Sequence, residues 1–362
     1  MAQSSPTAGG RISQIDGLRA LAILMVYIHH SFDFPQLWAG VDLFFILSGF
    51  LITGILVRDA DRFRFPDLAK RFYARRAQRI LPAYLLFMVA AVPLIPVAWH
   101  RLWPWYAFFA QNVPVAFNWI PPDALNPLWS LGVENQFYLV WPLIVFFLPR
   151  RWLAPSMVAL LLGEPVLRFF ASPHFSTGGP IYALTPFRLD TLAAGALLAL
   201  VLPHVKPAQA RNWRFASRAA MVAGVVVLAA LTIHYPWFRR TTNAPTYNSL
   251  IYSLNIVILG GLFCWAWFSN GALARVLSHP VLGWLGRISY MFYLSHLFFF
   301  FYCQQMLQAV HVHSRVATSV AGFVLTAAFS TLSWKLVEQP ILNYRRKTKP
   351  TMTEIANAQA AA

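Results

Sequence analysis

Apolar runs of the length a helix needs to cross hydrocarbon, about 17 to 25 residues, recur ten times along this chain. They fall at 15–34, 40–58, 80–98, 127–148, 152–170, 184–203, 215–235, 247–268, 288–307 and 316–338. An eleventh stretch, 103–118, is shorter, rich in aromatics and interrupted by Pro104 and Pro114. The pattern predicts an all-α integral membrane protein, about ten transmembrane helices gathered in one bundle. No internal repeat or Gly-Ser linker divides it. Residues 1–344 therefore read as one transmembrane domain, and 345–362 as a basic and then disordered cytoplasmic tail.

Polar residues inside these runs change the picture from anchor to machine. The first run, LRALAILMVYIHHSF, carries Arg19 and His30. Eleven residues at 100° each make three turns plus about 20°, so both side chains share one helix face, roughly 16 Å apart. His29 is rotated by about 80° from that face. Ionisable groups inside a span are expensive and point by default to a functional site. With Asp16 as well, this run reads as a retained span rather than a removable signal peptide.

Composition agrees: of 362 residues 58% are hydrophobic and 11% charged, against roughly 25% charged in soluble proteins. The net charge of +17 could suggest nucleic acid as a partner, but the loops argue against it. With a cytoplasmic N-terminus, inner loops collect twenty-one Lys and Arg, and the outer side only Arg101, Arg239, Arg240 and Arg315. That positive-inside bias places both termini in the cytoplasm and makes 103–118 interfacial or re-entrant. Cys264 and Cys303 lie in apolar runs as packing residues, and no His, Cys or acidic spacing suggests a metal.

Depth, at about 1.5 Å per residue from each span's end, brings His30, Asp42, Glu134, Arg188 and Asp190 into the outer third. An imidazole is the usual general base, and a carboxylate on its other nitrogen fixes its tautomer. Glu134 is the first choice for that partner and Asp42 the second. Arg188 with Asp190 reads as a structural pair or cavity wall. On the inner side RFYARRAQRILPAY presents Arg71, Arg75, Arg76 and Arg79. The i,i+3 and i,i+4 spacings would align a cationic face suited to phosphates or, more plainly, to anionic membrane lipid. Ser48, Gly49 and Gly54 suit close helix packing. His296, with Tyr290 and Tyr293 near it in sequence, either lines the pore or sits satisfied in the bundle.

Taken together, DGLRALAILMVYIHH, GVDLFFILSGFLITGIL, RFYARRAQRILPAY, NPLWSLGVENQFYLVWP, FRLDTLAAG, LGRISYMFYLSH and WKLVEQP resemble the membrane acyltransferase-3 family in order and spacing. The resemblance implies a multi-pass protein of the bacterial inner membrane. Such a protein takes acyl groups, usually acetyl, from cytoplasmic acyl-coenzyme A to a hydroxyl of an envelope saccharide or glycolipid. The family's R-x10-H pattern falls on Arg19 and His30, its cytoplasmic arginine motif on Arg76 and Arg79, and its retained acid on Glu134. Gly132 and Asn135 stand where Ser and Glu are frequent in the family. The soluble esterase-like domain of some relatives is not seen, so acceptor handling is expected in the bundle or with a separate periplasmic partner protein.

The expected site thus comprises His30, Glu134, Arg19 and Asp42 for the chemistry, and Arg75, Arg76, Arg79 and Arg19 for acetyl-coenzyme A, with no metal. A transporter or flippase of a polar or lipid-linked saccharide is the rival reading, since pore polar groups also serve transport.

Overall fold

The computed structural model describes residues 13–347 except 96, 120–123, 236, 237 and 239–242, with side chains up to Tyr344. The expected tail beyond 347 lies outside the described residues, as do Arg11, Arg239, Arg240 and Lys349 of the loop count.

Among the described residues all regular structure is helical. The order is α1 (Ser13–Phe32), α2 (Gly40–Ala60), α3 (Phe65–Ala91), α4 (Trp99–Ala107), α5 (Asn112–Ala116), α6 (Trp129–Phe147), α7 (Arg150–Ala171), α8 (Gly179–Ala183), α9 (Leu189–Val201), α10 (Ala210–His234), α11 (Pro245–Phe268), α12 (Ala272–Leu277), α13 (Pro280–Ala309), α14 (Arg315–Ser333) and α15 (Gln339–Lys347). A π-helical turn, Trp334–Glu338, joins the last two. The starts carry the expected signals. Pro66 and Asp67 open α3, where a missing N–H and a negative charge both suit a helix N-terminus. Ser314 caps α14 by accepting from the Ala317 N–H at 3.2 Å.

Each of the ten apolar runs overlaps a different helix, nine of them 19 residues or longer and the tenth, α9, of 13 residues. Among the described residues six helical stretches are long and apolar enough to cross a membrane: Leu37–Ala60, Phe65–Leu94, Arg150–His174, Pro207–His234, Pro245–Phe268 and Arg315–Tyr344. α1, α6 and α13 are long but diluted by polar residues, and α9 is short. Burial sorts these stretches by position. The most apolar window of Leu37–Ala60 is 61% buried, that of Pro207–His234 only 11%. α2 is therefore a central helix, and α10 faces the surroundings.

One expectation on element boundaries changes, and a second stretch gains detail. The arginine-rich segment does not precede span three but is continuous with it, since α3 starts at Phe65. The stretch 103–118 does not form one helix: α4 and α5 are separated by a turn in which Phe109 takes a positive φ of 53°. Close packing at the centre comes from glycine, but not from every one anticipated. A Cβ on Gly49 would collide with the Leu192 backbone and one on Gly195 with the Ile46 backbone, so α2 and α9 touch main chain to main chain. Gly54 meets nothing within 4 Å and plays no such part.

Candidate active site

α1, α2, α3, α6 and α13 enclose a central cavity of about 70 Å³. Helical spacing assembles its lining. Arg76 and Arg79 are i,i+3 neighbours on α3, Ser130, Glu134 and Tyr138 recur at i,i+4 on α6, and Ser289 and Tyr293 do the same on α13. Arg19 and Ser48 add one polar group each from α1 and α2. Three guanidinium groups, those of Arg19, Arg76 and Arg79, thus share the cavity with one carboxylate, that of Glu134.

Glu134 accepts a hydrogen bond from Ser48 Oγ at 2.5 Å and feels the charges of Arg19 and Arg76. Arg19 Nε donates to Ser289 Oγ at 3.3 Å, and Ser289 Oγ donates to the Gly286 carbonyl at 3.0 Å. The Arg76 guanidinium lies 5.8 Å from the ring centres of both Phe72 and Tyr138, and its buried Nε has no hydrogen-bond partner. An unsatisfied buried donor is costly to leave, and a charged guanidinium bonds best to a carboxylate or phosphate. The cavity is therefore chemically suited to an anionic or electron-rich guest. Arg75, expected beside Arg76 and Arg79, instead donates to Asp59 Oδ2 at 2.5 Å and does not line the cavity.

His30 belongs to a second cavity of about 510 Å³, bordered by α1, α13 and the α13–α14 connection. Its polar walls include Asp33, Asn126, Gln304, His313 and Arg315. His30 Nδ1 lies 2.9 Å from the Val26 carbonyl and 3.3 Å from His296 Nε2. Neither expected carboxylate is among these contacts: Glu134 lines the central cavity with Ser48.

The two cavities are linked through aromatic side chains. Tyr293 lines the central one and its ring centre is 5.6 Å from that of His296. The His296 ring centre in turn is 5.1 Å from that of His30. The Tyr293 hydroxyl donates to the Pro127 carbonyl at 2.8 Å and is 2.7 Å from Ser130 Oγ, which fixes the wall between the two spaces.

Asp42 sits elsewhere. It pairs with Arg188 and accepts from Asn255 Nδ2 at 2.8 Å. Arg168 joins the same region, donating to Asp190 Oδ2 at 2.7 Å and to Glu164 Oε2 at 3.1 Å. Arg188 is boxed by the rings of Phe45, Trp129, Tyr182 and Tyr252 at 4.5 to 5.7 Å. Asp42, Arg168, Arg188 and Asp190 are fully buried. The physical reason for the displacement of Asp42 from His30 is azimuth. Counting residues from a span's end gives depth, and groups at one depth can still face different sides of the bundle.

Sequence reasoning passed over Ser48 as packing and left Tyr138 and Ser289 unmentioned. One signal was available for Ser48. It lies six residues after Asp42, about 240° around the helix, so α2 necessarily presents two polar faces. Ser289 and Tyr138 are each four residues from a polar residue already noted, Tyr293 and Glu134.

Comparison with known proteins sets this geometry in context. The profile of the acyltransferase domain family, acyltransferase-3, matches residues 12–335. The O-acetyltransferase OatA of Staphylococcus aureus strain NCTC 8325 is 29% identical over 360 residues, covering 90% of this chain and 56% of that protein. The peptidoglycan O-acetyltransferase OatA of Listeria monocytogenes is 28% identical over 91% of this chain and 56% of its own length. A putative O-acetyltransferase of S. aureus strain COL is 28% identical over 95% of this chain and 61% of its own. The chain thus spans little more than half the length of the curated relatives it matches. No solved structure matches it. With the profile running from the start of α1 into the turn after α14, the chain belongs to the acyltransferase-3 family of acyltransferase domains.

Proposed function

We propose that this chain is a membrane-embedded O-acyltransferase that moves an acetyl group from acetyl-coenzyme A, on the cytoplasmic side, to a hydroxyl of a cell-envelope saccharide. The observation that carries the reading is the division of labour along α1. Arg19 lies in a small cationic cavity and His30 in a larger polar one, with Tyr293 and His296 between. A bisubstrate transfer across a membrane needs such a pair of spaces. In this reading the ten helices that carry the apolar runs cross the inner membrane, the four less apolar or shorter ones being shielded by the rest, and both termini are cytoplasmic.

The central cavity, narrow at about 70 Å³ and lined by Arg19, Arg76 and Arg79, suits the slender arm of the donor, which carries the thioester past Arg19 toward His30. The nucleotide then stays at the inner mouth. Arg76 and Arg79 receive its phosphates, and the unpartnered Nε of Arg76 is the donor that such an anion would satisfy. Anionic lipid remains a surface partner of the exposed arginines on that inner side, Arg71 among them.

His30 serves as base. The acceptor hydroxyl loses its proton to His30, its oxygen bonds the thioester carbonyl carbon, the C–S bond breaks, and the departing thiolate is reprotonated as His30 returns to neutral. Arg19, roughly 16 Å from His30 along α1, positions the donor arm on its way to the base. Glu134, tied to Ser48, holds the cationic groups in place. An acyl-His30 intermediate gives the same products by two such steps. The relatives are named for O-acetyl transfer, one of them to peptidoglycan, so peptidoglycan glycan strands are the first acceptor to try, with a separate periplasmic protein completing delivery.

The test is transfer of radiolabelled acetyl from acetyl-coenzyme A into envelope material by membranes containing the wild-type chain or His30→Ala. Label incorporated by the wild type alone supports the reading. Equal incorporation by both moves the base away from His30. Saccharide translocation without acetylation would favour the transporter reading instead.

A further inference from the structure

His296 is fully buried in the middle of α13, and its two ring nitrogens have distinct partners. Nδ1 lies 2.7 Å from the Tyr293 carbonyl. A carbonyl only accepts, so Nδ1 carries the proton. The ring is packed against Tyr27 and Tyr293, and the cost of burying an ion among apolar rings makes the neutral imidazole its resting form. Neutral, with its proton on Nδ1, His296 presents Nε2 as an acceptor. That atom faces His30 Nδ1 at 3.3 Å. His30 Nδ1 must then carry a hydrogen, which it shares between His296 Nε2 and the Val26 carbonyl at 2.9 Å. The lone pair of neutral His30 is thereby assigned to Nε2.

We propose that His296 is a positioning residue for the transfer reaction: through Nε2 it fixes the tautomer of His30 and supports the imidazolium that forms when His30 takes the acceptor proton. The role resembles the one a carboxylate plays behind a catalytic histidine, with a neutral imidazole in its place. The Val26 carbonyl is the shorter contact, 2.9 Å against 3.3 Å, but it is already engaged. It lies within α1, where the backbone N–H four residues on is its ordinary partner. His296 gives the developing cation a second acceptor. The Tyr293 carbonyl completes a chain that begins at the wall of the central cavity and ends at the base.

This inference rests on the transfer reading, and two readouts keep their fates apart. The first needs no turnover. Long-range ¹H–¹⁵N spectra of the purified protein, with histidine nitrogens labelled and His30 assigned through His30→Gln, report which nitrogen bears the proton. The wild type is expected to show His30 protonated at Nδ1. In His296→Phe, which keeps a ring but has no acceptor, the signal should shift to a tautomer mixture, and His296→Gln should restore much of the Nδ1–H form. An unchanged His30 spectrum in His296→Phe overturns the proposal, because the Val26 carbonyl would then suffice. The second readout is kinetic: kcat falls at least about tenfold in His296→Phe with the KM for acetyl-coenzyme A unchanged, and His296→Gln recovers part of it. A wild-type kcat in His296→Phe also overturns the proposal. If the wild type transfers no acetyl to any acceptor, the transfer reading fails, and the spectra alone decide whether His296 sets the His30 tautomer.

Discussion

Two groups of buried charge lie within this bundle, and they are built to opposite specifications. Around Asp42, Arg188, Arg168 and Asp190, cations and carboxylates meet directly. Glu164 and Asn255 complete the set, and aromatic rings close over Arg188. Around Arg19, Arg76 and Arg79 one carboxylate, that of Glu134, lines the space between the guanidinium groups, Asp16 and Glu338 act on them from beyond that lining, and a cavity stays open among them. Charges of both groups carry the same heavy desolvation penalty. In the first, direct ion pairs offset it, although Arg168 Nε, Arg188 Nε and Glu164 Oε1 have no hydrogen-bond partner. In the second, open space leaves room for a guest to offset it. Buried charge alone therefore does not mark the site; charge facing open space does.

Breaking the closed group should have the largest effect, and on folding. Asp42→Ala leaves Arg188 buried without its carboxylate, a change of about 3 to 5 kcal/mol in comparable buried pairs. Membrane-inserted yield and the thermal unfolding midpoint in detergent should both drop sharply. A variant as stable as wild type but unable to transfer would turn the closed group into part of the active site.

The open group should respond the other way. Arg19→Ala is expected to lower kcat for acetyl transfer by about 10², the scale of misplacing a bound reactant, with an unfolding midpoint close to wild type. Unfolding on a par with Asp42→Ala would erase the distinction between the two groups.

A finer division runs between adjacent arginines of α3. Arg76→Ala should raise the KM for acetyl-coenzyme A about tenfold with little change in kcat, the signature of lost ground-state binding. Arg75→Ala, which removes a partly exposed pair with Asp59, should change KM less than about twofold, as partly exposed pairs contribute little. Equal KM effects would assign the phosphates to the whole cationic face.

The contrast also shows which parts of the structure were legible in the sequence. Helices, their order and the shared face of Arg19 and His30 follow from periodicity along one chain. That information is axial. Asp42, Glu134 and His30 were brought together by depth alone, and the bundle turns them toward three different neighbourhoods: Arg188 and Asn255, Ser48, and His296. Which faces meet depends on contacts such as Gly49 on the Leu192 backbone, and these require all helices at once. The partner of His30 came from α13, 266 residues away, and no spacing within one span could indicate it.

The central claim is that the donor is held by the arginine-lined cavity while the base stands in a separate one that only the thioester reaches, and equilibrium binding of acetyl-coenzyme A to the purified protein in lipid nanodiscs tests it most directly. The account predicts saturable binding by the wild type, at least tenfold weaker binding by the Arg76→Ala, Arg79→Ala double variant, and wild-type affinity in His30→Ala. Unweakened binding by the double variant, or binding lost on replacing His30 alone, would contradict it.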